Sequence, residues 1–145
     1  MERTIKVVLD AGAVMPTRAH EWDAGLDLYA MEDITIVAHR FGGQGVVVDT
    51  GVHIEIPEGS VGFVHGRSGL NIMYGVVCPT GTIDCGYTGS IKVKLYNFGG
   101  ADYNVNKGDR IAQLVIQPVK IWGPVRVESL GTTERGADGF GSSGK

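Results

Sequence analysis

Short runs of hydrophobic residues, many of them β-branched, recur along the chain, and several alternate with polar residues as in half-buried strands. In residues 91–96 the alternation is complete, so Lys92 and Lys94 are predicted to share one face of a strand and to contact solvent. Turn signals rich in glycine and proline, such as residues 57–59 and 107–109, separate the runs. The predicted strands are residues 5–9, 34–37, 46–50, 52–56, 61–65, 91–96, 111–116 and 125–127.

One short helix is expected over about residues 68–74, with Ser68 near its start and Gly75 as its C-terminal stop. Many short strands with one short helix are typical of an all-β sandwich, jelly roll or barrel. The sequence shows no internal repeat and no linker, so residues 1–131 are predicted to form one domain. Residues 132–145 are rich in glycine and are predicted to form a mobile C-terminal arm.

The composition narrows the class of protein further. The 145 residues are 43% hydrophobic and 20% charged, as is usual for a soluble globular domain. The formal net charge is −3 and the basic residues are scattered, which argues against binding to nucleic acid or to an anionic membrane. No apolar run resembles a membrane span or a secretory signal, so a cytoplasmic location is expected, with Cys78 and Cys85 as reduced thiols.

Three partial matches to catalytic motifs fail on their context. Residues 139–145 have the glycines and lysine of a P-loop but lack its hydroxyl residue and any following helix. Residues 66–69 resemble a nucleophile elbow, but Leu70 stands where that motif needs glycine. Residues 53–55 match only half of a zinc-deaminase signature. The histidines, including His53, lack metal-ligand spacing and are expected to be structural or solvent-exposed.

Candidate residues in the first half of the chain lie where strands meet turns. Asp27 occupies an apolar, small-residue stretch, residues 23–30, where a buried carboxylate needs either backbone hydrogen-bond donors or a metal ion. Arg67 and Ser68 lie at the start of the predicted helix, whose free N–H groups favour an anion. These residues are candidates for binding a metal ion and a phosphate.

Candidate residues in the second half occupy a turn and a strand. A hairpin is predicted over residues 81–89, with Asp84 and Tyr87 near its bend. Asp84 is either a turn-capping residue or a general base that activates water. Gln113 is polar within an apolar strand and is either an edge-strand residue or a ligand contact.

The C-terminal residues 135–145 combine flexibility with groups that bind nucleotides. Arg135 can clamp phosphate oxygens, Phe140 can stack on a base, and Ser142 and Ser143 can form hydrogen bonds. Taken alone, the segment is more typical of a disordered polar tail.

Five segments in this order resemble the five motifs of the trimeric dUTP pyrophosphatase (dUTPase) family: residues 24–28, 66–70, 81–89, 108–114 and 135–144. The resemblance spans almost the whole chain, and five ordered motifs agree by chance far more rarely than one does. It implies a β-clip, a distorted jelly roll, assembled as a homotrimer. The three active sites would lie between subunits, and each would be completed by the C-terminal arm of another chain.

The resemblance also implies a reaction and a cofactor. Water would attack the α-phosphorus of dUTP and release dUMP and pyrophosphate, which supplies dUMP for dTMP synthesis and keeps uracil out of DNA. Asp84 would be the general base, and Asp27 would hold Mg²⁺ through coordinated water. The implied substrate-binding residues are Arg67, Ser68, Gly69, Thr82, Ile83, Tyr87, Lys92, Gln113, Arg135, Phe140, Gly141 and Ser142.

Some of these residues are given specific contacts by the resemblance. Tyr87 would pack against the deoxyribose and reject a 2′-hydroxyl group. Backbone groups of residues 78–83 would read the edge of uracil. On closure of the arm, Arg135 would reach the γ-phosphate while Phe140 stacks on uracil.

Two residues depart from the family pattern, and other functions compete with it. Gly86 replaces a usual aspartate, which predicts a local change of turn, and Cys78 stands where some members use an asparagine side chain for uracil. A dCTP deaminase shares the fold but lacks the arm motif. A regulatory role, in which residues 38–45 contact a partner protein, stays open as a second function. A purely structural jelly roll would not need Asp84, Tyr87 and the arm together.

Overall fold

Short strands account for most of the regular structure. The computed structural model describes residues 4–39 and 44–139, and in these residues it contains eleven strands and one helix. The strands are β1 (Lys6–Leu9), β2 (Gly25–Tyr29), β3 (Ile34–Ile36), β4 (Val46–Asp49), β5 (Val52–Glu55), β6 (Ser60–His65), β7 (Val76–Val77), β8 (Gly81–Ile83), β9 (Lys92–Asn97), β10 (Tyr103–Val105) and β11 (Arg110–Pro118); the helix is α1 (Ser68–Tyr74). The predicted all-β class is confirmed.

A four-stranded sheet in the order β2-β11-β6-β8 carries most of the candidate residues. Its pairings are antiparallel, and β11 lies between β2 and β6. Gln113 of β11 is opposite Asp27 on one neighbour and His65 on the other. Since directly opposite residues share a face of a sheet, this register brings Asp27 and Gln113 together.

Three smaller sheets complete the fold, in the orders β4-β9-β7, β1-β5 and β10-β3. Strand β9 shows the predicted alternation, because Val93 and Leu95 are buried whereas Lys92 and Lys94 are exposed. All four sheets contribute to one continuous apolar core. Its largest fully buried hydrophobic side chains are Leu28, Ile36, Val48, Val52, Ile56, Ile91, Val93, Leu95, Val105, Ile111 and Leu114.

Helix α1 begins and ends as the sequence predicts. Gly75 adopts the left-handed conformation, with φ at 70°, and its N–H group bonds to the Asn71 carbonyl oxygen, which closes the last turn. At the other end, the first backbone hydrogen bond of the helix runs from the Asn71 N–H group to the Arg67 carbonyl oxygen. No helix in the described part of the chain is long and apolar enough to cross a membrane.

Two sequence predictions about strands are wrong. Residues 125–127 form no strand; they lie in an exposed, irregular segment that follows β11. Val125 and Val127 are 81% and 58% exposed, so no packing within the chain stabilises a strand there. The predicted hairpin over residues 81–89 does not form either. Strand β8 pairs with β6, whereas the next strand, β9, pairs with β4 and β7, so the turn at residues 84–87 connects two different sheets.

Candidate active site

Asp27 is held between two arginines. Its side chain is only 13% exposed; Oδ1 lies 3.2 Å from Nε of Arg67, and Oδ2 lies 3.3 Å from Nη1 of Arg110. Arg67 also donates from Nη1 to the Arg110 carbonyl oxygen at 3.2 Å, which ties the two arginines together. Two guanidinium groups carry more N–H donors than one carboxylate can accept, so donors remain for an anionic ligand.

The sequence predicts backbone donors or a metal ion as partners of the Asp27 carboxylate, but in the structure its partners are Arg67 and Arg110. A carboxylate that is nearly buried needs charged or hydrogen-bonded neighbours, and here the guanidinium groups fill that requirement directly. Arg110 lies 83 positions away along the chain, so only the pairing of β2 with β11 brings it to Asp27. A register shift between Arg110 and Ala112 marks the same place in β11.

Gln113 is fixed beside Asp27 by a hydrogen bond and by a close backbone approach. Its Nε2 donates to the Gly66 carbonyl oxygen at 3.1 Å. A Cβ atom on Gly25 would lie 2.3 Å from Gln113 Oε1, so a larger residue at this position of β2 would displace the Gln113 amide. Because β11 is an interior strand of its sheet, the edge-strand interpretation of Gln113 is wrong.

Asp27, Arg67 and Gln113 line an open pocket of about 300 Å³. Ser68 and Gly69 are exposed at its rim, where α1 begins. The first-turn N–H groups of a helix have no acceptor within the helix, so they are available to a ligand. The lining residues are Ala19, Asp23, Ala24, Gly25, Asp27, Arg67, Ser68, Gly69 and Gln113.

The loop before β2 forms one wall of this pocket, and its structure was not predicted from the sequence. Arg18 donates from Nε to the Asp23 carbonyl oxygen at 2.8 Å, and the His20 N–H group donates to the Asp23 carboxylate at 2.9 Å. These bonds hold Asp23 and the following Ala24 at the pocket. Asp23 begins the stretch 23–30 that contains Asp27, but no role was predicted for its own carboxylate.

Asp84 and Tyr87 lie on a tight turn of their own. The Tyr87 N–H group donates to the Asp84 carbonyl oxygen at 3.1 Å, and Gly86 has φ at 95°. A positive φ at the third residue is what a type II turn requires, and glycine adopts it without steric cost. The predicted change of turn relative to the family pattern stays a prediction.

The Tyr87 ring is packed against the backbone of the same loop. Its hydroxyl group donates to the Ser90 carbonyl oxygen at 3.0 Å. A Cβ atom on Gly89 would lie 2.4 Å from the Tyr87 hydroxyl oxygen, so the ring occupies space that only glycine leaves free. Tyr87 is nevertheless 45% exposed, which leaves part of the ring available to a ligand.

The predicted site residues thus fall into separate groups within one chain. Asp27, Arg67, Ser68, Gly69 and Gln113 share the pocket, whereas Asp84, Thr82, Ile83, Tyr87 and Lys92 do not line it. Arg135 is exposed, and its Nε donates to the nearby Asp138 carbonyl oxygen at 3.0 Å. Phe140, Gly141 and Ser142, as well as residues 40–43 of the candidate partner-binding stretch, lie outside the described residues.

The two cysteines differ in their surroundings. Burial raises the pKa of the Cys78 thiol to about 11, so it remains protonated at neutral pH. Its Sγ donates to the Pro79 carbonyl oxygen at 3.4 Å. Cys85 is exposed in the turn next to Asp84, and both thiols are free, as predicted.

Comparison with known proteins agrees with the motif pattern. The dUTPase family model matches residues 11–144. The deoxyuridine 5′-triphosphate nucleotidohydrolase of Mycobacterium marinum is 47% identical over 153 residues, which cover 99% of this chain and 97% of that relative.

Solved structures of phage dUTPases are similar to this chain as well. The dUTPase of Staphylococcus bacteriophage 80alpha with dUPNHPP has a TM-score of 0.88 and 32% identity, with 99% of this chain and 100% of that chain covered. It is described among phage dUTPases that control transfer of virulence genes by a G protein-like mechanism. A variant dUTPase from phage phi11 of S. aureus, described with a structural Mg(II) ion, has a TM-score of 0.79 and 30% identity, with 88% and 98% covered.

Proposed function

Because this chain belongs to the dUTPase family and is an enzyme that hydrolyses dUTP, we propose that its arginine-lined pocket binds the triphosphate and that Asp84 activates the attacking water. The products are dUMP and pyrophosphate, with water attacking the α-phosphorus. The observation that carries the proposal is the cluster of Asp27, Arg67 and Gln113 around a pocket whose rim is formed by the start of α1.

The pocket supplies the donors that a triphosphate needs. Arg67 is oriented by Asp27 and by the Arg110 carbonyl oxygen, so its guanidinium group is already fixed before a ligand arrives. Ser68 and Gly69 add a hydroxyl group and backbone N–H groups at the helix start. Donors in this arrangement stabilise the negative charge that grows on pyrophosphate as it leaves.

Mg²⁺ fits this site in an outer-shell position. No group of three or more histidine, cysteine, aspartate or glutamate side chains in the described residues is arranged to hold a metal ion directly. Mg²⁺ keeps several waters and uses one or two carboxylates together with substrate phosphates, which matches a pocket wall that holds the carboxylates of Asp27 and Asp23. When bound, the ion neutralises charge on the phosphate oxygens.

Asp84 and Tyr87 act on the other side of the substrate. The exposed carboxylate of Asp84 accepts a proton from water, and the Tyr87 ring packs against the deoxyribose, where it leaves no space for a 2′-hydroxyl group. The backbone of residues 78–83, including Thr82 and Ile83, reads uracil, because the buried Cys78 thiol has no free side-chain donor to offer.

The separation of the two groups supports a homotrimer with shared active sites. Within one chain, the pocket around Asp27 has neither Asp84 nor Tyr87 in its wall. A second subunit that presents its 84–87 turn to this pocket would complete the site, and Lys92 would lie on that same subunit. Arg135 and Phe140 of a C-terminal arm then close over the bound nucleotide.

The proposed reaction is tested by incubating the purified protein with dUTP, dCTP, UTP and dTTP, with and without Mg²⁺. Chromatography is expected to show dUMP and pyrophosphate from dUTP, a strong dependence on Mg²⁺, and little product from the other three nucleotides. Release of orthophosphate instead of pyrophosphate would contradict attack at the α-phosphorus. Tight dUTP binding without hydrolysis would favour a regulatory protein that has lost the chemistry.

Replacing Gly89 by alanine is expected to weaken the rejection of UTP. The new methyl group would lie within 2.6 Å of two atoms of the Tyr87 side chain, so the ring must move away from the sugar. We expect the ratio of kcat/KM for dUTP to that for UTP to fall about tenfold or more. Gly100→Ala, where an added Cβ meets nothing within 4 Å, is the matched control. An unchanged ratio in Gly89→Ala would exclude Tyr87 as the steric gate.

A further inference from the structure

His53 of β5 lies between two oxygen atoms that can only accept hydrogen bonds. Its Nδ1 is 2.8 Å from the Thr88 carbonyl oxygen, and its Nε2 is 3.2 Å from Asp10 Oδ1. A neutral imidazole carries one N–H group and can donate to only one of these two acceptors. The imidazolium form, with an N–H group on each nitrogen, satisfies both.

The charges around His53 favour the same form. The hydrogen bond to the Thr88 carbonyl oxygen raises the pKa of His53 above its usual value, and the hydrogen bond and charge of Asp10 raise it further. Asp49, at the end of β4, adds a smaller attraction, whereas partial burial opposes it. A positive charge also lies close to Asp49, because Nζ of Lys92 in β9 is 4.0 Å from the Asp49 carboxylate.

The Thr88 carbonyl belongs to the segment that carries the proposed base and sugar gate. We call residues 84–90 the 84–90 loop. His53 attaches this loop at Thr88, and a second attachment lies at Ser90, whose hydroxyl group donates to Asp49 Oδ1. Asp49 Oδ1 also accepts from the Gly51 N–H group at 3.0 Å. Since the Tyr87 hydroxyl donates to the Ser90 carbonyl oxygen, the ring is tied to the residue that Asp49 holds.

The Asp49 attachment is insensitive to pH near neutrality. Partial burial would raise the pKa of Asp49, but the Ser90 hydroxyl, the Gly51 N–H group and the charges of Lys92 and His53 together lower it. Asp49 therefore stays ionised well below neutral pH. Of the two attachments, only the one through His53 titrates in the physiological range.

We propose that His53 is a positioning residue whose imidazolium form, held by Asp10, fixes the 84–90 loop and thereby the placement of Asp84 and Tyr87. This inference rests on the proposed roles of Asp84 and Tyr87. On loss of its proton, His53 keeps only one of its two hydrogen bonds. Because the charged carboxylate of Asp10 is the stronger acceptor, the neutral ring donates from Nε2 to Asp10 and loses its bond to the Thr88 carbonyl oxygen. Of these two side-chain attachments, the one through Asp49 then remains, and the ring of Tyr87 gains freedom next to the sugar.

The direction of the pH effect follows from the raised pKa. A histidine whose folded-state pKa exceeds its unfolded value gives its full stabilisation below the unfolded pKa, about 6.5, and loses it as pH rises through the folded pKa. Discrimination of dUTP from UTP is therefore expected to be highest on the acidic side of the His53 pKa and to decline above it.

Two variants separate positioning from a purely structural role. His53→Ala removes the attachment at every pH, so amides of the 84–90 loop should exchange with solvent about three- to tenfold faster, and the dUTP to UTP ratio should fall by a similar factor. In Asp10→Asn, the asparagine amide can donate to Nε2 of a neutral His53. The ring proton then stays on Nδ1 and bonds the Thr88 carbonyl oxygen. That variant should keep the ratio while losing its pH dependence, with a lower His53 pKa by NMR titration. His39→Gln is the control.

The outcomes distinguish this inference from the proposed function. If the protein hydrolyses dUTP but His53→Ala leaves both the loop exchange and the dUTP to UTP ratio unchanged, the positioning role is wrong and the function stands. An Asp10→Asn profile identical to that of the unmodified protein would also overturn it. If dUTP is not hydrolysed at all, the proposed function fails, while hydrogen exchange and NMR still measure whether His53 holds the loop.

Discussion

Replacing Asp84 by asparagine is expected to lower kcat for dUTP by about 10²- to 10⁴-fold, the usual contribution of a general base. The side chain of Asp84 is exposed, and the carbonyl that accepts from the Tyr87 N–H group belongs to the backbone, so the amide leaves the turn intact. Binding should persist, because the donors for the triphosphate lie in the pocket around Arg67. Stopped-flow turnover and calorimetric titration with a non-hydrolysable dUTP analogue measure the two quantities separately.

The neighbouring residue offers a matched control for that variant. Cys85 lies in the same turn and is exposed, so Cys85→Ser tests whether any change in this turn impairs turnover. We expect it to retain full activity and melting temperature. If Asp84→Asn kept more than about a tenth of kcat, the base would have to be sought elsewhere. A parallel loss of affinity would instead indicate a distorted turn.

The sequence predicted those elements whose local pattern agrees with their tertiary environment. Strand β9 alternates because one face packs on the core, and α1 ends at Gly75 because a left-handed residue closes it. Strand β2 went unpredicted because Gly25 and Asp27 interrupt its apolar pattern. Both interruptions serve the site, since Gly25 admits the Gln113 amide and Asp27 orients Arg67. Local rules fail most readily where function imposes its own residues.

For the site itself, contacts between residues that are distant in sequence limit what the sequence can predict. The five motifs identified Asp27, Arg67 and Gln113, but they could not predict that Arg110 binds the second oxygen of Asp27. Nor could they show that His53, apparently solitary in the sequence, joins Asp10 to the loop of Asp84. These relations follow from strand pairing and chain crossing between sheets, which no local pattern encodes.

Removing residues 133–145 is expected to reduce kcat/KM for dUTP by about 10²- to 10³-fold, while the remaining protein stays folded and trimeric. Residues 132–139 are exposed, and the hydrogen bonds of Arg135 and Gly136 are local to the arm, so the core loses no packing. The large kinetic effect follows because a guanidinium donor and the exclusion of water are lost together. Turnover, light scattering and thermal melting measure activity, assembly and stability.

The extent of the deletion is chosen to separate catalysis from assembly. It keeps the exposed apolar side chains of Ile121, Trp122 and Leu130, which are available to pack between subunits. The melting temperature should therefore change by less than about 3 °C, as expected for loss of exposed residues. Full-length Glu134→Gln, altered at an exposed arm position, should keep full activity. Dissociation of the shortened protein into monomers would make the arm an assembly element and remove the case for closure over the nucleotide.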